Sequence, residues 1–397
     1  MTIEKGPSPR VLQVIGTLGM GGAETWLMEV LRLWAATGAA RMDFLATSGQ
    51  PGLFDDEARA LGATIHYLRY GRRDLPRFVG GFRQILRRGR YEAIHDHQDY
   101  ASGWHFLCGA GVLPPVRVTH VHNPAYQIRN NYGVTVTRRL TARAGRALVA
   151  RFATHVTGAS RQLIGEYGLD APAFAHIPKA ALYCGFEPTR FAGDRQAARA
   201  ALLGEFCWPD DALVILYVGR IDQSPDPAHP RTHKNAGFAV DVAIAAGRRE
   251  ARVRMLLAGR PSPAVPLLQH RIAEAGLGGR ILFAGVRRDI ERLMTAADAL
   301  LFPSRGEGLG MVAVEAQSAG LPVLASSAVP REAAVVPGLM RFLELEEGAE
   351  RWAEVLLPAL VQPRDVVQSN RRVAASRFAI AQSAGSLLRL YGSGELE

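Results

Sequence analysis

Short apolar runs rich in β-branched residues and leucine recur along this chain, and segments with helical periodicity separate most of them. This alternation constrains the fold more than any other feature, because strands spaced by helices form βαβ units on parallel sheets. In the first half the runs are VLQVIGTL (11–18), RMDFLATS (41–48), TIHYLRY (64–70), YEAIHDH (91–97), VRVTHVH (116–122), THVTGAS (154–160) and AFAHIP (173–178). A more polar, proline-containing stretch at 185–211 breaks the rhythm. It restarts with LVILYVG (213–219), RMLLAG (254–259), RILFAG (280–285), DALLFPS (298–304) and PVLASS (322–327). The pattern predicts an α/β chain with two doubly wound parallel-sheet domains, residues 1–184 and 185–378. A final helical segment near 379–397 has no strand of its own to cover.

At 397 residues the chain is long enough for two domains, each with its own core. No apolar run approaches the roughly 18 residues that span a bilayer. VLQVIGTLGMGGA resembles a short secretory core, but Gln13 interrupts it and an amphipathic helix pattern follows directly, so it reads as a first strand. The three cysteines, Cys108, Cys184 and Cys207, have no CxxC spacing, which speaks against a disulfide framework or a zinc site and fits a reducing cytoplasm. The net charge of +10 is uneven: 22 Lys/Arg against 13 Asp/Glu give +9 in residues 1–180, and 25 against 24 give +1 in the rest. Two amphipathic stretches, RFVGGFRQILRRGR (77–90) and RRLTARAGRALVARF (138–152), carry much of the surplus. They read either as solvated helix faces or as a docking face for an anionic membrane surface. Neither has the interleaved aromatics of a nucleic-acid site, so nucleic acid is not an expected partner.

In open α/β sheets ligands gather beyond the carboxyl ends of the strands. SRGEGLGMVAVEAQ follows such an end and places Gly306, Gly308 and Gly310 before a helix that starts near Met311. Glycines admit a ligand close to the backbone, and the free amides of a helix start attract anions. Glu307 lies in the turn and Glu315 inside the helix, on the order of 10 Å apart at 1.5 Å rise per residue. That is too far for a glycosidase pair and suits two acids gripping different hydroxyls of one long ligand. Arg220 leaves another strand and Lys234 precedes a helix, a guanidinium fork and an ammonium that suit a pyrophosphate. Each basic residue alone also reads as ordinary surface. GTLGMGGAETW, with Gly21 and Gly22, is a glycine loop without dinucleotide spacing. His95, Asp96, His97 and Asp99 end one strand, and His120 and His122 end another. Residues two apart share a face, so each histidine pair could meet a substrate; metal ligation by the first group and polar packing are the alternatives. No DxD follows a strand, and no required metal is expected.

Arg220, Lys234 and the Glu307–x7–Glu315 pair, in a two-sheet chain opening with GGAE, together resemble the retaining GT-B glycosyltransferases of family 4. The resemblance implies two Rossmann-like domains facing across a cleft, with the C-terminal helix packing back on the first. It implies a nucleotide diphosphate sugar as donor substrate, a UDP-sugar at a guess, and no cofactor. Arg220 and Lys234 would hold the diphosphate, Glu315 the ribose hydroxyls and Glu307 the transferred sugar. Val286 and Arg287 would border the base, Gly308, Leu309, Gly310 and Met311 would line the cradle, and Gly21 and Gly22 would approach the phosphates. His122, with His120 as second choice, would be the histidine near the reacting centre. The loop QSPDPAHP lengthens the usual spacing between Arg220 and Lys234. The acceptor would be a glycan or a lipid-linked glycan of cell-envelope or exopolysaccharide synthesis, reached from the cytoplasmic side of the membrane. A nucleotide-sugar epimerase of the same fold, a non-catalytic sugar or lipid binder, and an NAD-dependent dehydrogenase are competing readings. Wrong glycine spacing counts against the dehydrogenase.

Overall fold

The computed structural model describes residues 8–19, 21–132, 135–226 and 228–396; Met20 and Pro227, in two of the loops quoted above, lie outside this set. The chain forms two compact units, residues 1–186 with 380–397, and residues 187–379.

The first unit carries seven parallel strands in the order β3-β2-β1-β4-β5-β6-β7. They are β1 (Arg10–Ile15), β2 (Arg41–Ala46), β3 (Ile65–Tyr67), β4 (Ala93–Asp96), β5 (Val116–Val121), β6 (His155–Gly158) and β7 (Lys179–Ala181). Central strands are buried on both faces, as parallel sheets require, which is why they read as apolar runs instead of alternating ones. Helix α1 (Gly22–Thr37) lays Trp26, Leu27, Leu31 and Trp34 inward. The basic stretch at 77–90 falls in α3 (Leu75–Gly89), which buries Phe78, Phe82 and Leu86 and leaves Arg77, Arg87 and Arg88 exposed. The stretch at 138–152 falls in α6 (Val136–Phe152), which packs by Gly145 and Val149 but leaves Val136 72% and Leu140 61% exposed among its arginines.

One strand expected from the sequence is misplaced. AFAHIP is not a strand: Pro172–Phe174 form a 3-10 turn, and β7 begins only after Pro178, whose carbonyl accepts from Val156 N. The two prolines, lacking an N–H, confine the ladder to the residues beyond them.

Helix α15 (Ile380–Gly392) belongs to the first unit. Trp26 Nε1 donates to Ser383 Oγ at 2.8 Å, Ser383 Oγ donates to the Tyr183 carbonyl at 2.7 Å, and Tyr391 is buried beside Trp34.

The second unit has six parallel strands in the order β10-β9-β8-β11-β12-β13. They are β8 (Leu213–Val218), β9 (Val253–Ala258), β10 (Ile281–Gly285), β11 (Ala299–Phe302), β12 (Val323–Ser326) and β13 (Met340–Leu343). In both sheets the strand order reverses beside the first strand of the unit, between β1 and β4 and between β8 and β11. Ligand crevices open at such reversal points.

A single guanidinium closes two helix ends in this unit. Helices α11 (Ile290–Ala296) and α12 (Met311–Ser318) leave orphan carbonyls, and Arg364 donates to those of Met294, Thr295, Ala297, Ala319 and Gly320. Burial pushes its pKa down to about 9. Arg364→Ala should therefore lower stability by about 3 kcal/mol, since several carbonyls lose a charged donor at once. Urea unfolding of the second unit's signal would show it, and a change within half a kcal/mol would contradict the clamp.

Candidate functional site

At the reversal point of the second sheet, β8 exits through Gly219 and Arg220, and Arg220 is exposed. The backbone passes closely here: a Cβ on Gly259, at the end of β9, would lie 1.9 Å from the Gly219 carbonyl, so only glycine fits. Helix α9 (Ala236–Arg249) returns the chain. Its approach is held by Asp222, whose buried carboxylate accepts from the amides of His233, Lys234, Asn235 and Ala236 at 2.6–3.3 Å. An acid outside the helix thus takes the donors that a capping residue would satisfy. The start of α9 is already filled by a carboxylate, and what it presents is the Lys234 side chain.

Lys234 Nζ meets both oxygens of Glu307, at 2.7 and 2.8 Å, and lies 5.6 Å from the centre of the Phe302 ring. Glu307 is held by the loop between β11 and α12, ahead of Gly310, whose φ of 94° requires glycine at the helix start. A positive and a negative group, both largely desolvated, thus stand at one strand end. Met311 opens α12, Gly308 is half-buried and Leu309 packs inward. Glu315 is one turn inside α12. Burial, reinforced by Glu291 and opposed by Arg190, raises its carboxyl to about 7. Val286, just past β10, stands 56% exposed, an apolar surface at a strand end. The Arg287 side chain is committed elsewhere, pairing with Glu205 at 2.5 Å and Asp289 at 2.8 Å, so only its backbone is left for a ligand.

At the reversal point of the first sheet, Gly21 caps α1 and Gly22 opens it; a Cβ on Gly22 would meet nothing within 4 Å. The two histidine pairs that end β4 and β5 form one cluster. His95 Nε2 lies 3.1 Å from His120 Nδ1, and His97 Nδ1 lies 2.8 Å from His122 Nε2. The rings of His120 and His122 stack at 3.9 Å, with Trp26 against them. Gln13 and Tyr391, which the sequence did not single out as site residues, close the cluster from β1 and α15. Their only signal was a polar residue interrupting an apolar strand and a helix with no strand beneath it.

The acids near these histidines go elsewhere. Asp96 faces the opposite side of the sheet, where it accepts from His105 Nδ1 at 2.7 Å and Ser102 Oγ at 2.9 Å. Asp99 accepts from the His122 amide at 3.1 Å. Among the described residues, His95, His97 and His120 have ring nitrogens within 4.8 Å of one another, close enough for one metal ion. His95 and His97 use both ring nitrogens in hydrogen bonds within the cluster, which an ion would have to break, whereas His120 Nε2 has no partner among the described residues.

Burial drives His95, His97 and His120 well below the usual imidazole range, and the neighbouring rings add to the effect. His122 is lowered to about 3 by burial. Asp99 is raised to about 7 by burial, against the pull of the His122 amide and of Tyr167 and Asn123. The folded first unit keeps the four rings neutral, whereas unfolded imidazoles protonate near 6.5, so stability is lost as pH falls below 6.5. Asp99 acts in the opposite sense, holding in the folded state a proton that the unfolded chain releases. For the cluster and Asp99 alone, four ring protons against one carboxyl proton give a loss of about 4 kcal/mol per pH unit between pH 6 and 5. Melting curves of wild type and His122→Asn across that interval should differ by about one proton's slope, and a flat wild-type profile would refute the neutral cluster.

Comparison with known proteins accords with this geometry. Residues 212–360 match the family model described as glycosyl transferases group 1, and residues 21–178 match the glycosyl transferase 4-like domain. A Bacillus subtilis (strain 168) protein with the provisional name glycosyltransferase EpsF is 28% identical over 389 residues, 96% of each chain. The D-inositol 3-phosphate glycosyltransferase of Mycobacterium tuberculosis (strain ATCC 25177 / H37Ra) is 31% identical over 242 residues, 58% of this chain and 46% of that one. Among solved structures, Anabaena HepE in complex with UDP superposes with a TM-score of 0.75 at 18% identity, covering 97% of this chain and 99% of HepE. With two doubly wound parallel sheets and a match to a glycosyltransferase model in each, the chain belongs to the group 1, family 4-like glycosyltransferases of the GT-B fold.

Proposed function

We propose that this glycosyltransferase moves a sugar, with retention of configuration, from a UDP-sugar to a hydroxyl of a glycan or lipid-linked acceptor in envelope or exopolysaccharide synthesis, without a required metal. The observation that carries this reading is the Lys234–Glu307 pair beside Arg220 at the reversal point of the second sheet. A diphosphate arriving there takes Lys234 and Arg220 as its counter-charges. Glu307 is then released from its ammonium to accept from hydroxyls of the sugar. The uridine assignment draws on HepE, which was solved with UDP, and the acceptor class draws on the likeness to EpsF.

The chemistry asks little of a protein base. As the bond from the anomeric carbon to the diphosphate breaks, the acceptor hydroxyl attacks from the same face. Its proton passes to the departing phosphate oxygen. The charge gathering on that oxygen is met by Arg220, Lys234 and the amides at the start of α12, and removal of either side chain should cost roughly 10²-fold in rate. His122, with Nδ1 free of partners among the described residues, offers an acceptor to a substrate hydroxyl. Val286 and the backbone of Arg287 border the base.

Among the described residues no helix is long and apolar enough to cross a membrane. The exposed Val136 and Leu140 on α6, with Arg138, Arg139 and Arg143 beside them, suit docking at the cytoplasmic leaflet. Co-sedimentation at low salt should favour anionic over neutral vesicles, and Leu140→Glu should abolish the preference. Equal partition of the wild type would rule out docking.

Glu315 is the sharpest test of the donor site. As a carboxylate it accepts from both ribose hydroxyls, so Glu315→Ala should weaken UDP binding by about 1.5–3 kcal/mol. Because its carboxyl is raised to about 7, wild-type affinity should strengthen from pH 6 to 8 with release of a proton, and the variant should lose this dependence. Glu307→Gln should instead lower turnover while leaving affinity for bare UDP nearly intact. Calorimetry showing unchanged UDP affinity in folded Glu315→Ala would sink the assignment.

A further inference from the structure

The side chain of Gln13 lies between His97 and Tyr391, and its two ends are chemically distinct. Oε1 is 2.9 Å from His97 Nε2, and Nε2 donates to the Tyr391 hydroxyl at 3.1 Å. An amide oxygen only accepts, so the proton of a neutral His97 sits on Nε2 and its Nδ1 carries the lone pair. That Nδ1 lies 2.8 Å from His122 Nε2, so His122 must supply the proton between them. His122 is left with its lone pair on Nδ1. In the other direction, the Tyr391 hydroxyl, having accepted from Gln13, spends its own proton on His95 Nδ1 at 2.5 Å. His95 Nε2–H then donates to His120 Nδ1 at 3.1 Å, and His120 keeps its proton on Nε2, which is buried without a partner among the described residues. With the amide oxygen of Gln13 toward His97, one amide sets the direction of the hydrogen bonds through the cluster; the opposite orientation would reverse them.

We propose that Gln13, itself held by Tyr391, is a positioning residue that sets the tautomer of His122, so that the ring presents an acceptor at Nδ1 to a substrate hydroxyl. This rests on the reading of His122 as a residue that serves the reaction. The tautomer matters because a hydroxyl that donates to Nδ1 keeps its oxygen lone pairs for a carbon gaining positive charge. The reversed ring would offer N–H and occupy one of those lone pairs. Asp99 accepts from the backbone amide of His122 and not from its ring, whose partner is His97, so no charged group on the ring nitrogens chooses between the two neutral forms and the choice falls to the first group in the chain that can only accept.

The test uses the full chain, labelled with ¹⁵N-histidine, with His122 resonances assigned through His122→Asn. In the wild type, His122 should show a protonated Nε2 and an unprotonated Nδ1. Gln13→Met keeps the length of the side chain and removes the acceptor, and it should shift His122 toward the opposite tautomer. It should also lower kcat at least tenfold while leaving donor KM and UDP affinity nearly unchanged. Tyr391→Phe removes one hydroxyl from an otherwise equal volume, guards against a Gln13 variant that fails to fold, and should act in the same direction to a smaller extent. A wild-type proton on Nδ1, or a His122 tautomer unaffected in both folded variants, would overturn the proposal. A tautomer that shifts while kcat stays at the wild-type value would overturn the reading of His122 and with it any role for Gln13 in turnover.

Discussion

Parallel pairing governs this protein. A parallel strand cannot return by a hairpin, so among the described residues the seven strands of one sheet and the six of the other are joined by crossovers, six in the first and five in the second, and within each sheet all carboxyl ends lie along one edge. Residues far apart in sequence therefore meet only as strand ends do. Arg220 and Glu307 are neighbours because β8 and β11 are neighbours, and His97 and His122 meet because β4 pairs with β5. The candidate site residues sit at strand ends and in the loops beyond them, at positions the ladders dictate, above apolar cores packed between sheet and helices.

Around the reversal points of their sheets the two units handle buried polarity differently. The second unit sets full charges against partners: Asp222 against four amides, Lys234 against Glu307, Arg364 against five carbonyls, and Asp298 against Arg195, Arg199 and the Val214 amide. At the ends of β4 and β5 the first unit instead places neutral rings and an amide, linked head to tail around His95, His97, His120 and His122. A charged set suits a highly charged ligand, with which it can exchange partners. A neutral set suits a site where protons must stay where they are placed, since burial keeps every ring from charging.

The sheets and nearly all their strands were legible because they rest on local signals, apolar runs separated by helical periods and glycine turns; so was the placing of Arg220, Lys234 and Glu307 at strand exits and helix starts. AFAHIP misled because its composition suits a strand, while Pro172 and Pro178 forbid the ladder there. Asp222 escaped notice because an acid eleven residues ahead of the amides it holds leaves no periodic trace. Gln13 was visible only as an interruption in an apolar strand, and Tyr391 only as one residue of a helix with no evident partner. Their meeting depends on a contact spanning 378 positions, which no local pattern encodes. The side-chain commitment of Arg287 to Glu205 and Asp289 was likewise beyond reach, since it depends on how α8 (Arg195–Glu205) lies beside β10's exit.

The placement of α15 also sets an order of manufacture. The first unit has all its strands once residue 181 is made, yet Trp26, Gln13 and His95 find their partners Ser383 and Tyr391 only after the whole of the second unit has left the ribosome. Until then the first unit exposes a strip of α1 and an incomplete polar cluster, and a chain cut short anywhere in the second unit keeps them so. The protein thereby ties the completion of its histidine cluster to the synthesis of the second unit, and a nascent chain cannot carry the cluster finished before that unit has been made.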